Sequence, residues 1–299
     1  MNSFIRRVRY LVEFSALCLV LAVARILPAV MASNCGGWVG RILAGLLPSS
    51  KTAIKNLRRI YPHMGQAQRR DIILQMWENL GRVIFEYPHL QKLSRDHTVI
   101  QGQEILAQYQ DKPAILFAAH LGNWEIGPMA CFLQTGFVTH SLYRAPNNPY
   151  VDRLLQKIRS ASGALRNIPK SRTSARPMLK ALQDNQHLGI LIDQKYNEGI
   201  KSDFMGHAAM TSTAFIELAR KMDCALIPFR MRRSGGINFE IIIEPPLDIT
   251  GRETEDILNE CHDKLGAWIN EAPEQWLWLH NRWKENDYSN DYNNDYEGK

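Results

Sequence analysis

The chain has 299 residues, 45% hydrophobic and 22% charged, and its 36 basic and 30 acidic side chains leave a formal charge of +6. That composition excludes disordered, collagenous and disulfide-scaffold classes. Residues 1–59 carry nine basic side chains against Glu13 alone, and residues 285–299 carry five acids against Lys299. The positive charge therefore lies beside a hydrophobic N-terminal run, which fits an anionic membrane surface, and not in a stripe through the body that would fit nucleic acid.

Residues 10–32 form a 23-residue stretch holding only two charges, Glu13 and Arg25, and residues 14–24 hold none. A bilayer-spanning or steeply inserted helix is expected here, with both charges near the interfaces. Two alternatives remain open. One is a signal peptide built from Arg6, Arg7, Arg9 and the apolar core, although Arg25 interrupts it; the other is a hairpin or interfacial helix that includes residues 38–47. Five basic residues downstream against three upstream favour a cytoplasmic body.

Apolar spacing predicts an amphipathic helix over residues 66–85 and a buried strand over 113–119. The alternation continues with a strand at 137–143, helices at 148–160 and 172–185, a strand at 187–193 and a helix at 213–222. Strands at 225–231 and 237–244 are joined by Ser234-Gly235-Gly236, a hairpin signal, and a helix over 253–270 closes the body. The expected fold is α/β, with a mixed, largely parallel sheet flanked by helices and an N-terminal membrane helix. Residues 1–50 form the anchor region, 51–284 the catalytic domain, and 285–299 an acidic tail expected to be disordered.

His120 directly follows the strand at 113–119, Arg144 follows that at 137–143 and Asp193 ends that at 187–193, so all three fall at the strand ends where ligands of such sheets bind. His120-Leu-Gly-Asn-Trp-Glu125 is the most informative stretch, although its spacing is not: His280 and Glu285 repeat it. On a continuous helix a five-residue offset keeps two side chains apart. With a turn at Gly122 and Asn123 as N-cap, Glu125 would reach back to His120, fix its tautomer and leave the other nitrogen as a base. The alternative is a capping histidine and a glutamate stabilised by the helix dipole.

The chain has no G-x-S-x-G elbow, Walker loop, dinucleotide fingerprint or H-E-x-x-H. Its five scattered cysteines have neither C-x-x-C spacing nor histidine partners at zinc-ligand spacing, so reduced thiols, no metal site and no cofactor are expected. A His/Glu pair on a membrane-tethered α/β domain suits activation of a substrate hydroxyl for acyl transfer.

These residues resemble the bacterial lipid A biosynthesis acyltransferases, the lauroyl or myristoyl late acyltransferases within the lysophospholipid (glycerolipid) acyltransferase-like superfamily. The resemblance runs to about Lys284 and rests on blocks in the expected order: His120 to Glu125 as the H-x-x-x-x-D/E motif; Tyr143-Arg144-Ala145-Pro146-Asn147-Asn148-Pro149; Asp193-Gln194 with Phe204-Met205-Gly206 and Thr211-Ser212-Thr213; Pro228-Phe229; and residues 272–284, APEQWLWLHNRWK. It implies transfer of a fatty acyl chain from acyl carrier protein to a hydroxyl of a phosphorylated lipid A precursor, at the cytoplasmic face of the bacterial inner membrane. His120 would be the general base and Glu125 would orient it. Gly122, Asn123, Arg144, Asn147, Arg172, Asp193, Gln194, Lys195, Gly206 and Thr211 are candidates to bind substrate, with Arg144 and Arg172 on phosphate and Gly122 among main-chain donors for an oxyanion. The partners implied are acyl carrier protein, the glycolipid acceptor and membrane lipids. Lys195-Tyr196-Asn197-Glu198 departs from the second acid and Tyr-Gly of many relatives, which leaves open a different acceptor such as a phosphatidylinositol mannoside. A thioester hydrolase and a non-catalytic membrane-tethered lipid-binding protein are the rival readings. Trp276, Trp278 and Trp283 read as core aromatics, Thr211 and Thr213 as sources of an N-cap, and His280 as structural.

Overall fold

The computed structural model describes residues 3–161, 165–169, 174–196 and 199–283. Among the described residues nine strands form two sheets: β1 (Thr98–Gln101), β2 (Ala114–Ala118), β3 (Thr139–Tyr143), β4 (Leu165–Pro169), β5 (His187–Leu191), β6 (Ile200–Phe204), β7 (His207–Thr211), β8 (Ala225–Gly235) and β9 (Asn238–Ile243). The main sheet has the order β1-β9-β8-β2-β5-β3-β4, and β6 pairs with β7 alone. Strands β8, β2, β5, β3 and β4 run parallel, while β9 turns back from β8 and carries β1 with it. The expected mixed, largely parallel α/β sheet is therefore present.

Eleven helices are described: α1 (Ser3–Ile26), α2 (Ala29–Ala44), α3 (Ser49–Ile60), α4 (Gln66–Glu86), α5 (Leu90–Asp96), α6 (Gln103–Ala107), α7 (Ile126–Thr135), α8 (Pro149–Arg159), α9 (Ala175–Gln183), α10 (Ala214–Lys221) and α11 (Thr254–Glu271). Strand β2 is apolar at nearly every position because both its faces are covered. Ile115 and Phe117 face a core with Phe215, Leu265 and Trp268, while Ala114 and Leu116 face the opposite core with Met129, Ala130 and Ile227. Phe117 is fully buried, which is worth about 1.5–3 kcal/mol relative to exposure.

The expected elements are found with ends shifted by a few residues, but four strands lie outside the expectations. β1 is short with one exposed face, and β4 is the sheet's edge. The β6–β7 hairpin turns at Met205 and Gly206, both at positive φ (57° and 78°). Such a turn normally carries Asn-Gly or Asp-Gly, so a methionine at its first position hides the signal.

Among the described residues no helix is long and apolar enough to cross a membrane, so the expected spanning helix is not found. α1 has the length, but Arg6, Arg7, Arg9, Glu13 and Arg25 divide its apolar run, and Leu21 and Ala24 are buried against the body. Helix α2 is joined to α4 by a glycine seam: a Cβ at Gly36 would strike the Gly81 carbonyl, and one at Gly40 the Trp77 carbonyl. The backbones touch only because no side chain intervenes. Residues 285–299, with the tail expected there, lie outside the described residues.

Candidate active site

Adjacent strands β2 and β5 are in register, Ala114 opposite His187 through Ala118 opposite Leu191. Two residues further on, the same register sets His120 opposite Asp193. The His120 Nδ1–H donates to Asp193 Oδ1 at 2.8 Å, and the His120 main-chain N–H donates to Oδ2 at 3.0 Å. Trp276 Nε1 donates to Oδ2 at 2.8 Å. Burial alone would raise the Asp193 carboxyl, but the facing imidazole and these donors outweigh it and hold the group down at about 2. An ionised carboxylate on Nδ1–H leaves Nε2 as the lone-pair nitrogen, turned toward the cavity.

The partner expected for His120 was Glu125, and the structure puts that carboxylate elsewhere. Glu125 accepts from Arg159 Nε at 2.7 Å and Nη2 at 2.6 Å, and from Trp124 Nε1 at 3.2 Å. Asn123 does cap the turn, its Oδ1 accepting from Glu125 N at 3.2 Å, but α7 begins only at Ile126. The turn directs Glu125 to α8 rather than back to the imidazole.

The turn itself is held by its own polar groups. Gly122 sits at φ +57°, its N–H donates to Gln275 O at 3.2 Å and its carbonyl accepts from Asn79 Nδ2. Leu121 N donates to Ala119 O at 2.8 Å. Asn123 is fully buried, with Nδ2 on Glu86 Oε2 at 2.8 Å, and Glu86 also receives Ser33 and both terminal nitrogens of Arg233. Gly122 and Asn123, expected to bind substrate, thus build the turn, and the Gly122 N–H is not available to an oxyanion.

A cavity of about 1220 Å³ opens at His120. Its walls are largely apolar, among them Leu116, Met178, Gly189, Phe215 and Phe229, and Arg144, Lys195 and Lys221 place positive charge on its lining. Gln194 reaches into it, with Nε2 3.2 Å from His120 Nε2 and 2.9 Å from His280 Nε2. His280 lines the same cavity, so the structural reading of that residue is incomplete. Burial lowers its pKa, and the charge of His120 adds to that.

Beneath Asp193 lies a second buried network. Arg282 Nη2 donates to Thr211 Oγ1 at 2.5 Å and Nη1 to Met210 O at 2.7 Å. His262 Nδ1–H donates to Asp203 O at 2.7 Å, and its Nε2 faces both Thr211 Oγ1 and the Arg282 guanidinium. Burial, with that guanidinium second, pushes His262 down to about 3. Thr211 lines the cavity, but its hydroxyl serves this network, and neither it nor Thr213 caps α10; Ser212 Oγ approaches Ala214 N instead.

Of the other expected site residues, Arg144, Gln194 and Lys195 line the cavity. Gly206 lies at the β6–β7 turn, where its N–H binds Asp203 Oδ1, and Asn147 is exposed; neither is on the cavity wall. Asn148, next to it, caps α8 through Oδ1 and donates to the Tyr10 carbonyl of α1. Arg172 lies outside the described residues. Trp276, Trp278 and Trp283 are buried core aromatics as expected, though Trp276 also serves Asp193. Arg159, Trp276 and His280 were missed because their importance comes from contacts 34 to 86 residues away in sequence.

An imidazole oriented by a buried aspartate, at the carboxyl ends of parallel strands and on the wall of a largely apolar cavity with basic residues on its lining, is an arrangement suited to general-base chemistry on a substrate with apolar and anionic parts, on an α/β fold. The chain belongs to the bacterial lipid A biosynthesis acyltransferase family, whose sequence profile matches residues 1–285. It is 27% identical over 281 residues to the lipid A biosynthesis lauroyltransferase of Escherichia coli (strain K12), covering 86% of each chain. It is 22% identical to a lipid A biosynthesis acyltransferase of Haemophilus influenzae, over 82% of this chain and 77% of that one. It is also 22% identical to the lipid A biosynthesis palmitoleoyltransferase of E. coli (strain K12), over 78% of each.

Proposed function

We propose that this protein transfers a fatty acyl chain from an acyl carrier protein thioester to a hydroxyl of a phosphorylated lipid A precursor. The observation that carries the reading is His120, held at Nδ1 by ionised Asp193 and presenting Nε2 to an apolar cavity. The acceptor hydroxyl gives its proton to Nε2 as its oxygen attacks the thioester carbonyl carbon. Asp193 stabilises the imidazolium that forms, and the C–S bond breaks as the proton passes to the leaving thiolate. Apolar walls suit the acyl chain, while Arg144, Lys195 and Lys221 suit acceptor phosphate. The curated relatives are named for different acyl chains, lauroyl and palmitoleoyl, so chain length does not transfer from them.

The site of action in this reading is the cytoplasmic face of the bacterial inner membrane. Phe4, Val12, Leu19 and Ile26 of α1 and Trp38 of α2 are exposed, with Arg6, Arg7, Arg9, Arg25 and Arg41 on the same two helices. Exposed apolar side chains among basic ones suit helices lying in an anionic interface.

The test is an assay with labelled dodecanoyl thioester of acyl carrier protein and tetra-acylated lipid A precursor, wild type beside His120→Ala. Label on the glycolipid with wild type alone is the expected result. Free fatty acid instead would favour a hydrolase, transfer only to a phosphatidylinositol mannoside would change the acceptor, and binding of lipid without turnover would favour a non-catalytic protein.

A further inference from the structure

We propose that Gln194 is a catalytic residue, whose side-chain N–H stabilises the oxyanion of the tetrahedral intermediate, and that His280 is the positioning residue that aims it. The inference rests on the acyl-transfer reading and adds a group to it.

The first argument is the occupancy of main-chain donors at the turn. The N–H groups of His120, Leu121 and Gly122 point to Asp193 Oδ2, Ala119 O and Gln275 O. Donors already directed into the protein cannot meet a developing charge without breaking the turn that places His120. With those three donors committed, the side-chain amide of Gln194 stands as a donor already beside the base, 3.2 Å from its nitrogen.

The second argument fixes which end of the amide faces the histidines. Asp193 accepts from Nδ1–H of His120, so His120 Nε2 has a lone pair and needs a donor opposite it. The NH2 end of Gln194 supplies one, and its second hydrogen meets His280 Nε2 at 2.9 Å. The two N–H bonds of a planar amide diverge, so one nitrogen serves both rings. When the acceptor hydroxyl takes the place of the amide at His120 Nε2, one N–H is released beside the atom that attacks. The carbonyl carbon is bonded to that atom in the intermediate, and its oxygen comes within reach of the freed N–H, while the other N–H stays on His280. No proton is moved by Gln194: it donates a hydrogen bond as the C–O double bond becomes a single bond, and the bond weakens again when the thiolate leaves.

The experiment measures two reactions of one thioester, dodecanoyl acyl carrier protein: transfer to tetra-acylated lipid A precursor, and slow hydrolysis without acceptor. An oxyanion donor serves both, whereas a residue that merely binds the acceptor serves the first alone. Gln194→Ala and Gln194→Met should lower kcat of both by about 10²- to 10³-fold with little change in KM, the range for loss of one such donor. Thermal unfolding, followed in parallel, should stay close to wild type. His280→Ala should lower kcat in the same sense, the double variant Gln194→Ala/His280→Ala should be no worse than Gln194→Ala, and His280→Gln, which restores an acceptor, should recover much of the loss. Transfer lost with hydrolysis intact would overturn the proposal in favour of an acceptor contact. Both rates kept within about threefold by Gln194→Ala would overturn it in favour of other main-chain amides. If His120→Ala matched wild type, the acyl-transfer reading would fall together with the donor, whereas an inactive His120→Ala beside a normal Gln194→Ala removes this inference alone.

Discussion

His120 and Asp193 are 73 residues apart in the chain and 2.8 Å apart in space, because each stands two residues past the last paired position of neighbouring parallel strands. The register of β2 with β5 does the work of orientation, and the Trp276 indole closes the far side of the carboxylate. In the proposed transfer, the charge that develops on His120 meets a partner already ionised and already in place, which avoids reorganisation at the moment of reaction.

The two carboxylates near His120 should separate cleanly on substitution. Asp193→Asn removes the charge and favours the wrong tautomer, and should lower kcat by about 10⁴-fold, the scale found when such an orienting aspartate is replaced. Glu125→Gln breaks a bidentate pair with Arg159 that is 14% and 8% exposed, so its main effect should fall on stability. Steady-state rates beside melting temperatures give the comparison. A greater loss of kcat in Glu125→Gln than in Asp193→Asn would return the base's partner to the glutamate.

The exposed apolar residues of α1 and α2 should govern attachment to lipid. Flotation with vesicles containing anionic phospholipid should bring wild type to the top of the gradient, and Leu19→Glu with Trp38→Glu should leave it at the bottom. Raising the salt should weaken flotation through the arginines, since surface charge acts over about a Debye length. Binding unchanged in the double variant would mean that another surface carries the contact.

Much of the sheet could be read from apolar runs, because β2, β5, β8 and β9 bury alternating or continuous apolar faces and are bounded by turn residues. Strands β4 and β6 escaped because polar side chains dilute their pattern, and β7 because it follows a turn with methionine at positive φ. At the site, sequence picked out His120 as the base and Asp193 as a strand-end residue, yet chose Glu125 as partner. The spacing of His120 and Glu125 is local and visible, whereas the adjacency of β2 and β5 is topological: α7, β3, α8, β4 and α9 intervene in the chain. His280 was set aside because its only visible acid was Glu285; its contact with Gln194 spans 86 residues.

The glycine seam between α2 and α4 should be sensitive to a single methyl group. A Cβ at Gly40 meets the main chain of Trp77, which cannot swing aside as a side chain would. Gly40→Ala should force the helices apart and destabilise the protein by about 1–3 kcal/mol, the usual range for overpacking. Gly45→Ala is the control, since a Cβ there meets nothing within 4 Å. Equal denaturant midpoints for the two variants would mean that the seam yields freely.

Stability should fall with acid through His262. Its folded-state pKa of about 3 lies below the ordinary 6.5, so above pH 6.5 the imidazole is neutral whether the chain is folded or not, and its contribution is fully present. As the pH falls from 6.5 toward 3, the unfolded chain binds a proton that the folded one refuses, because burial and then the Arg282 guanidinium oppose a charge at Nε2. The loss approaches about 1.4 kcal/mol per pH unit within that window. His187, held at about 4 by burial and then by His140, adds a second contribution between pH 6.5 and 4. His262→Gln keeps an acceptor for Thr211 and a donor for the Asp203 carbonyl but does not titrate. Unfolding free energies measured from pH 7 to 4.5 should therefore decline less steeply in this variant than in wild type, and parallel curves would remove His262 as the group responsible.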